Sequence, residues 1–202
     1  MVYKTKNTYK NENYPWQPYI PEKANKLILG TFPTSERNRG SYEFFYPNPN
    51  NEFWKILFAV AGQNLADYSK KDPVEIRKQV MKKLQLGIAD MGKTILRQRG
   101  NSSDANLFPV EFTDIFQLLD KHKKITTIIV TSSSGSNSVL SWLHQYCNLN
   151  EYNFKVPEGT LPKSTSFDFQ DRKITIKIIP SPSGQSRIKG IARIEMYKQA
   201  IN

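Results

Sequence analysis

Apolar positions along the chain fall into four short runs separated by stretches with helical spacing. The runs rich in Ile, Val and Leu cover residues 26–31, a weaker 86–91, 125–132 and 174–180. Each is short and nearly continuous, as expected of a strand covered on both faces. A 3.6-residue period appears in residues 53–62, which stop at Gly62, and in 73–84, which open on Asp72-Pro73 as N-cap and first turn. Residues 110–122, 136–147 and 188–201 read as helices in the same way. Strands alternating with helices predict an α/β chain, a three-layer α/β/α domain around a central four-stranded, mainly parallel sheet.

In such a sheet ligands bind beyond the carboxyl ends of the strands. The loops that follow the runs therefore carry the functional search. The first is Gly30-Thr31-Phe32-Pro33-Thr34-Ser35 and the second Arg97 to Asp104. The third is Ser132 to Ser136, and the fourth Pro180-Ser181-Pro182-Ser183-Gly184-Gln185-Ser186-Arg187. Glycine and serine allow close backbone approach and supply N–H and hydroxyl donors, and arginine suits phosphate. Ordinary turns remain an equally open reading for the third loop.

A length of 202 residues suits one domain, residues 1–202, with the first 20 as an N-terminal arm. No run approaches the roughly 20 apolar residues of a membrane helix, so no membrane partner is expected. Residues 1–13 are polar and hold no apolar signal core, which points to the cytoplasm. The single cysteine, Cys147, excludes an internal disulfide framework and reads as a core filler on a helix. With only His122 and His144 beside it, neither a metal nor another cofactor is expected. The net charge of +11 changes the picture more, because so basic a surface attracts polyanions. Nucleic acid is the leading partner class, with simple solubility as the alternative.

Two stretches carry candidate chemistry. Residues 40–54 place aromatics and amides in a Pro-punctuated loop ahead of a helix. Such a loop can offer a ring face and an amide to an extruded base, although it can also be a packed structural loop. The fourth loop alone is a generic anion-binding turn at a helix N-terminus. Asp90 and Glu36 are further candidates for orienting water, although Asp90 reads first as a strand-end carboxylate capping local backbone N–H groups.

Together these stretches resemble the uracil-DNA glycosylase superfamily, closest to its hypoxanthine-DNA glycosylase and mismatch-specific uracil-DNA glycosylase branches. Gly30 and Pro33 match the first family motif, and Pro49, Asn51, Phe53 and Trp54 keep the register of the aromatic segment. Ser181 to Arg187 keep five of seven residues of the last motif, and Gly87 to Asp104 resemble an intermediate one. The resemblance runs from about Pro15 to Arg187. It implies a DNA partner, damaged or mismatched duplex or single-stranded, handled by a monomeric monofunctional glycosylase that removes a deaminated base such as hypoxanthine, uracil or xanthine.

The same resemblance assigns roles. Gly30, Thr31, Phe32, Tyr46 and Asn48 would form the base site, with Tyr46 stacking on the base. Asn51 would contact the base edge or orient the water, and Ser181 would stabilise the departing base or bind the adjacent phosphate. Ser183, Gly184, Gln185, Ser186 and Arg187 would bind DNA, Gln185 entering the duplex and Arg187 holding a phosphate; the positive charge separately makes Arg97 and Arg99 candidates for phosphate. Phe32 stands where mismatch-specific relatives hold a water-positioning Asn, Asn48 replaces a His, Ser181 an Asn or His, and Gln185 a Leu. These departures leave two alternatives open: a DNA- or nucleotide-binding module without hydrolysis, and a hydrolase of free nucleosides.

Overall fold

The computed structural model describes residues 8–98, 103–132 and 135–202. Its main sheet has five strands: β2 (Lys26–Gly30), β3 (Leu86–Asp90), β6 (Thr127–Val130), β7 (Lys163–Phe169) and β8 (Arg172–Ile178), ordered β3-β2-β6-β8-β7. β3, β2, β6 and β8 run parallel, and β7 returns antiparallel to β8. The α/β class and the layered, mainly parallel sheet are as expected, with a fifth strand added. β7 escapes a reading by apolar runs because Lys163-Ser164-Thr165-Ser166 opens it with polar residues. An edge strand buries less of itself than a central one.

Side-chain alternation explains why the central runs of β2 and β6 are apolar at successive positions. Leu27 and Leu29 of β2 enter one core while Ile28 enters the other, and Ile128 and Val130 of β6 likewise oppose Ile129. Successive strand residues point to opposite faces, and here both faces are covered. One side carries α1 (Phe53–Val60), α2 (Pro73–Lys83) and α5 (Gly190–Ile201), which contribute Phe53, Val80 and Tyr197 to their core. The other carries α3 (Ile115–Lys121) and α4 (Val139–Leu149), with Leu119, Trp142 and Leu143. Cys147 is fully buried on α4.

A second sheet of three antiparallel strands was not foreseen. It joins β1 (Tyr9–Asn13), β4 (Gly92–Gln98) and β5 (Leu107–Phe112) in the order β1-β4-β5. The expected helix over residues 110–122 is therefore shorter. β5 takes its first residues, and α3 begins at Ile115 after Asp114, whose side chain accepts from the N–H of Gln117 at 2.9 Å. The N-terminal segment is built into the fold from β1 onward. Tyr19 exchanges two backbone hydrogen bonds with Ile88 and so covers the free edge of β3. Among the described residues, no helix is long and apolar enough to cross a membrane.

Candidate active site

Three strand ends meet where the first loop leaves the sheet. The parallel register sets Gly30, the last residue of β2, beside Asp90, the last of β3, and Thr131 follows directly on β6. Glycine is required at position 30, since a Cβ there would lie 2.1 Å from Asp90 Oδ1 and 2.9 Å from the Tyr46 hydroxyl. Tyr46 reaches in from the aromatic loop. Its hydroxyl lies 3.2 Å from Thr131 Oγ1, and the Thr131 hydroxyl donates to the Leu29 carbonyl at 3.1 Å.

The loop is held to present that ring. Tyr46 has a positive φ of 50°, rare for a non-glycine residue. The Gly40 N–H donates to the Pro47 carbonyl, the Tyr42 hydroxyl to the Tyr46 carbonyl and the Trp54 indole to the Phe45 carbonyl. One face of Tyr46 stacks on Phe53, ring centroids 3.9 Å apart and planes 18° from parallel. Tyr46 remains half-buried. A cavity of about 380 Å³ opens on the loop side, lined by Tyr42, Tyr46, Asn48, Asn51, Trp54 and Arg77 among others. Gly30, Asp90 and Thr131 do not line it, so cavity and strand-end cluster meet at Tyr46.

Asp90 is the electrostatic centre of that cluster. Burial pushes its carboxyl up to about 7, against the stabilising influence of Tyr14 and the Gly30 backbone and helped by repulsion from Asp104. The Tyr14 hydroxyl next to it is buried and has no hydrogen-bond partner of good geometry. Burial and the Asp90 carboxyl together raise that phenol well above its ordinary range. Asp104 belongs to an exposed turn yet turns its carboxyl inward, where it accepts from the Thr31 hydroxyl at 2.8 Å. Desolvation raises Asp104 too, opposed by that hydrogen bond and by Arg97.

The second half of the site is clamped by an arginine that the sequence reading did not single out. Arg193 on α5 is 1% exposed and donates to the carbonyls of Ser181 at 3.1 Å and Ser183 at 3.0 Å, while pairing with Glu52. Asn51 and Ser183 form a backbone bridge, and the Glu52 N–H donates to the Pro182 carbonyl at 3.0 Å. The aromatic loop and the fourth loop thus become one rigid unit. Asn51 Oδ1 accepts from the Phe53 N–H at 2.9 Å, an Asx-type turn just ahead of α1, whose N-cap position is taken by Glu52. That bond orients the amide and leaves its NH₂ as the available donor. Ser181 Oγ accepts from the Ser183 N–H and Ser183 Oγ from the Gln185 N–H, each at 3.2 Å. Gln185 and Arg187 are exposed, with Gly184 and Ser186 half-buried beside them.

The remaining expected positions fall in different places. Thr31 is buried and bonded to Asp104, and Asn48 uses Oδ1 to accept from the Asn50 N–H at 2.9 Å. Phe32 is 6% exposed and packs edge-on against Tyr14 at 5.6 Å, a core residue at the floor of the loop. Arg97 does not offer itself to phosphate. It is 3% exposed and spends its guanidinium on Glu12 at 3.0 Å and on the Pro33 carbonyl. Arg99 lies outside the described residues, as do Gly100 to Ser102 and two serines of the third loop. Glu36 is exposed on a single 3₁₀ turn. Asp90 alone of the two further carboxylates joins the strand-end cluster. Arg193 had one legible signal, an arginine inside an amphipathic terminal helix.

Comparison with known proteins bears on this geometry. No family model matches the chain. A hypoxanthine DNA glycosylase of Methanosarcina acetivorans is 28% identical over 109 residues, which cover 54% of this chain and 64% of that protein. A hypoxanthine DNA glycosylase of Methanosarcina barkeri is 28% identical over 89 residues, 44% of this chain and 51% of the relative. The matches thus span between half and two-thirds of the length of these curated relatives. The solution NMR structure of a Methanosarcina acetivorans protein bearing the provisional name uracil DNA glycosylase aligns over 94% of both chains, with a TM-score of 0.59 and 21% identity. That likeness establishes the fold.

Proposed function

For a chain that stands by sequence and fold with the uracil-DNA glycosylase superfamily, near its hypoxanthine-DNA glycosylase branch, we propose a monofunctional DNA glycosylase that extrudes a deaminated base and hydrolyses its N-glycosidic bond. The observation that carries the reading is the Arg193 clamp. It locks Asn51 and the exposed Gln185 loop together in one unit that begins at Tyr46 and Phe53. Base stacking, leaving-group donor and duplex-facing loop then share a single rigid frame.

In the proposed reaction the bond from C1′ to the base nitrogen breaks, water oxygen bonds to C1′, and the water proton passes to solvent or to the base. The transition state resembles an oxocarbenium sugar with charge moving onto the base. Preorganised donors in a water-poor site are the efficient remedy for such charge. Asn51 suits this role because its bond to the Phe53 N–H fixes the amide before substrate arrives. Tyr46 would stack the base on the face that Phe53 leaves uncovered. Ser181 would donate its hydroxyl proton to the base or the flanking phosphate, since the oxygen already accepts from Ser183. Gln185 would enter the gap left by the flipped nucleotide, and Arg187 would hold a phosphate. The net charge of +11 favours the polyanion throughout.

The test uses duplexes containing uracil, hypoxanthine or xanthine, with alkaline cleavage at abasic sites as readout. Asn51→Ala should lower single-turnover release by ~10²-fold or more, the scale of one lost preorganised donor. Asn51→Asp separates chemistry from the turn that Asn51 holds. Aspartate keeps the acceptor oxygen for the Phe53 N–H, so this variant should melt normally, yet its carboxylate repels the electron-rich leaving base and release should stay slow. Release at the unmutated rate by both variants would remove Asn51 from the chemistry.

A further inference from the structure

Arg77 has no part in the mechanism above, although it lines the cavity beside Tyr46. It is 8% exposed and makes no ion pair among the described residues. Nη1 donates to the Pro73 carbonyl at 2.6 Å, one turn back on the same helix, and Nε finds no hydrogen-bond partner among those residues. A buried cation without a counter-ion is costly. Burial pulls the guanidinium below its ordinary range, and Tyr42 alone opposes that pull.

The surrounding rings fix how the charge is presented. The guanidinium carbon lies 4.1 Å from the Tyr42 ring centroid and 5.4 Å from that of Trp54. An arginine stacked on aromatic faces keeps its plane fixed and its N–H edge suited to a phosphate. Lys55, exposed on α1, stands at the same cavity, with the Asn48 and Asn51 amides and the Ser41 hydroxyl. None of the lining residues is acidic. The space of about 380 Å³ far exceeds the ~30 Å³ share of one water. Cations, neutral polar groups and aromatic walls around such a volume suit an anion with an organic body.

Resting on the glycosylase reading, we propose that this cavity receives the sugar-phosphate next to the extruded nucleotide, Arg77 gripping the phosphate, Lys55 neutralising it from the rim and the Tyr42 and Trp54 rings walling the deoxyribose. The cavity adjoins the base site through two residues. Tyr42, on which Arg77 stacks, donates its hydroxyl to the Tyr46 carbonyl at 2.8 Å. Asn51 lines the cavity while its backbone bridges to Ser183 of the fourth loop. A strand whose extruded nucleotide lies at Tyr46 thus finds a cation for the next phosphate in Arg77, apart from Arg187 on the fourth loop. Such a contact carries no sequence information and sets the register of the strand. It supplies the positioning that Arg97, spent on Glu12, does not.

The experiment measures affinity for a duplex carrying an uncleavable tetrahydrofuran abasic site, each phosphate near the lesion being replaced in turn by a neutral methylphosphonate. The unmutated protein is compared with Arg77→Gln and Lys55→Gln. At one position the unmutated protein should lose ~10-fold or more in affinity, the scale of hydrogen bonds to a charged group, while both variants start weaker and lose little further there. Losses at other positions should stay as they are. The slope of log affinity against log salt should also shrink by up to ~0.9 in Arg77→Gln. Lys55 is exposed, so Lys55→Gln carries the test if Arg77→Gln folds poorly. Variants that lose as much as the unmutated protein at every position overturn the subsite, while base release by the unmutated protein leaves the glycosylase standing. Inorganic phosphate is the second probe. If it raises the melting temperature of the unmutated protein and of neither variant, while the scan does not distinguish them, the cavity takes free phosphate and the DNA contact is overturned. Failure to release any of the three deaminated bases, with no loss at any position, overturns both.

Discussion

Replacing Asp90 by Asn removes a group whose burial destabilises the fold in a pH-dependent way. Burial moves the carboxyl from its ordinary 3.8 to about 7, so between those values the folded protein holds a proton that the unfolded chain has released. Raising the pH through this window favours unfolding, and the loss levels off above the folded value. At about 1.4 kcal/mol per pKa unit the full penalty is on the order of 4 kcal/mol, more than half of which develops between pH ~5 and ~8. Asparagine has nearly the shape of the protonated acid and no charge at either pH. The stability of Asp90→Asn relative to the unmutated protein should therefore rise by roughly 2–3 kcal/mol from pH ~5 to ~8. Urea denaturation of both proteins at both pH values measures it, read from midpoints at a common slope. An unchanged stability difference would mean that Asp90 ionises as it does in water, and the argument from burial would fail.

Three further outcomes follow from the same contacts. Arg193→Met should cost roughly 2–4 kcal/mol, since it leaves Ser181 and Ser183 carbonyls and Glu52 without their buried partner. Its base release should fall further than its melting temperature explains, because Asn51 and Ser181 lose their shared anchor. Gly30→Ala drives a methyl into Asp90 Oδ1 and the Tyr46 hydroxyl and should cost about 1–3 kcal/mol. Combining it with Asp90→Ala should recover part of that loss, and independent, additive losses in the thermal melts would contradict the contact. Gln185→Ala should weaken binding to damaged duplex while sparing single strands, where no gap needs filling; equal losses on both would exclude Gln185 as the wedge.

What the chain determines by itself is local. The runs around Leu27 to Leu29 and Ile128 to Val130 read as strands covered on both faces, and Ile174 to Ile178 as a strand that buries its isoleucines on one; their alternation with amphipathic stretches implied the layered sheet. Helix starts at Pro73 and Ile115 were written in the capping side chains of Asp72 and Asp114, although the first was read correctly and the second was placed too early. The strands β1, β4, β5 and β7 were hidden because half-exposed antiparallel strands carry polar residues whose pairing depends on distant partners. The site divides in the same way. Taken alone, residues 40–54 and 180–187 read as a Pro-punctuated loop and an anion-binding turn, since glycine, proline and amide signals act over a few residues. A shared purpose for Gly30, Tyr46, Asn51 and Ser181 to Arg187 came from the resemblance to the glycosylase superfamily. That Arg97 would be buried against Glu12, that Arg193 would tie two loops 130 residues apart, and that Asp90 would lie in a desolvated corner beside Gly30 depended on long-range packing. Burial and the approach of partners remote in sequence set the state of a charge, and only the folded chain supplies both.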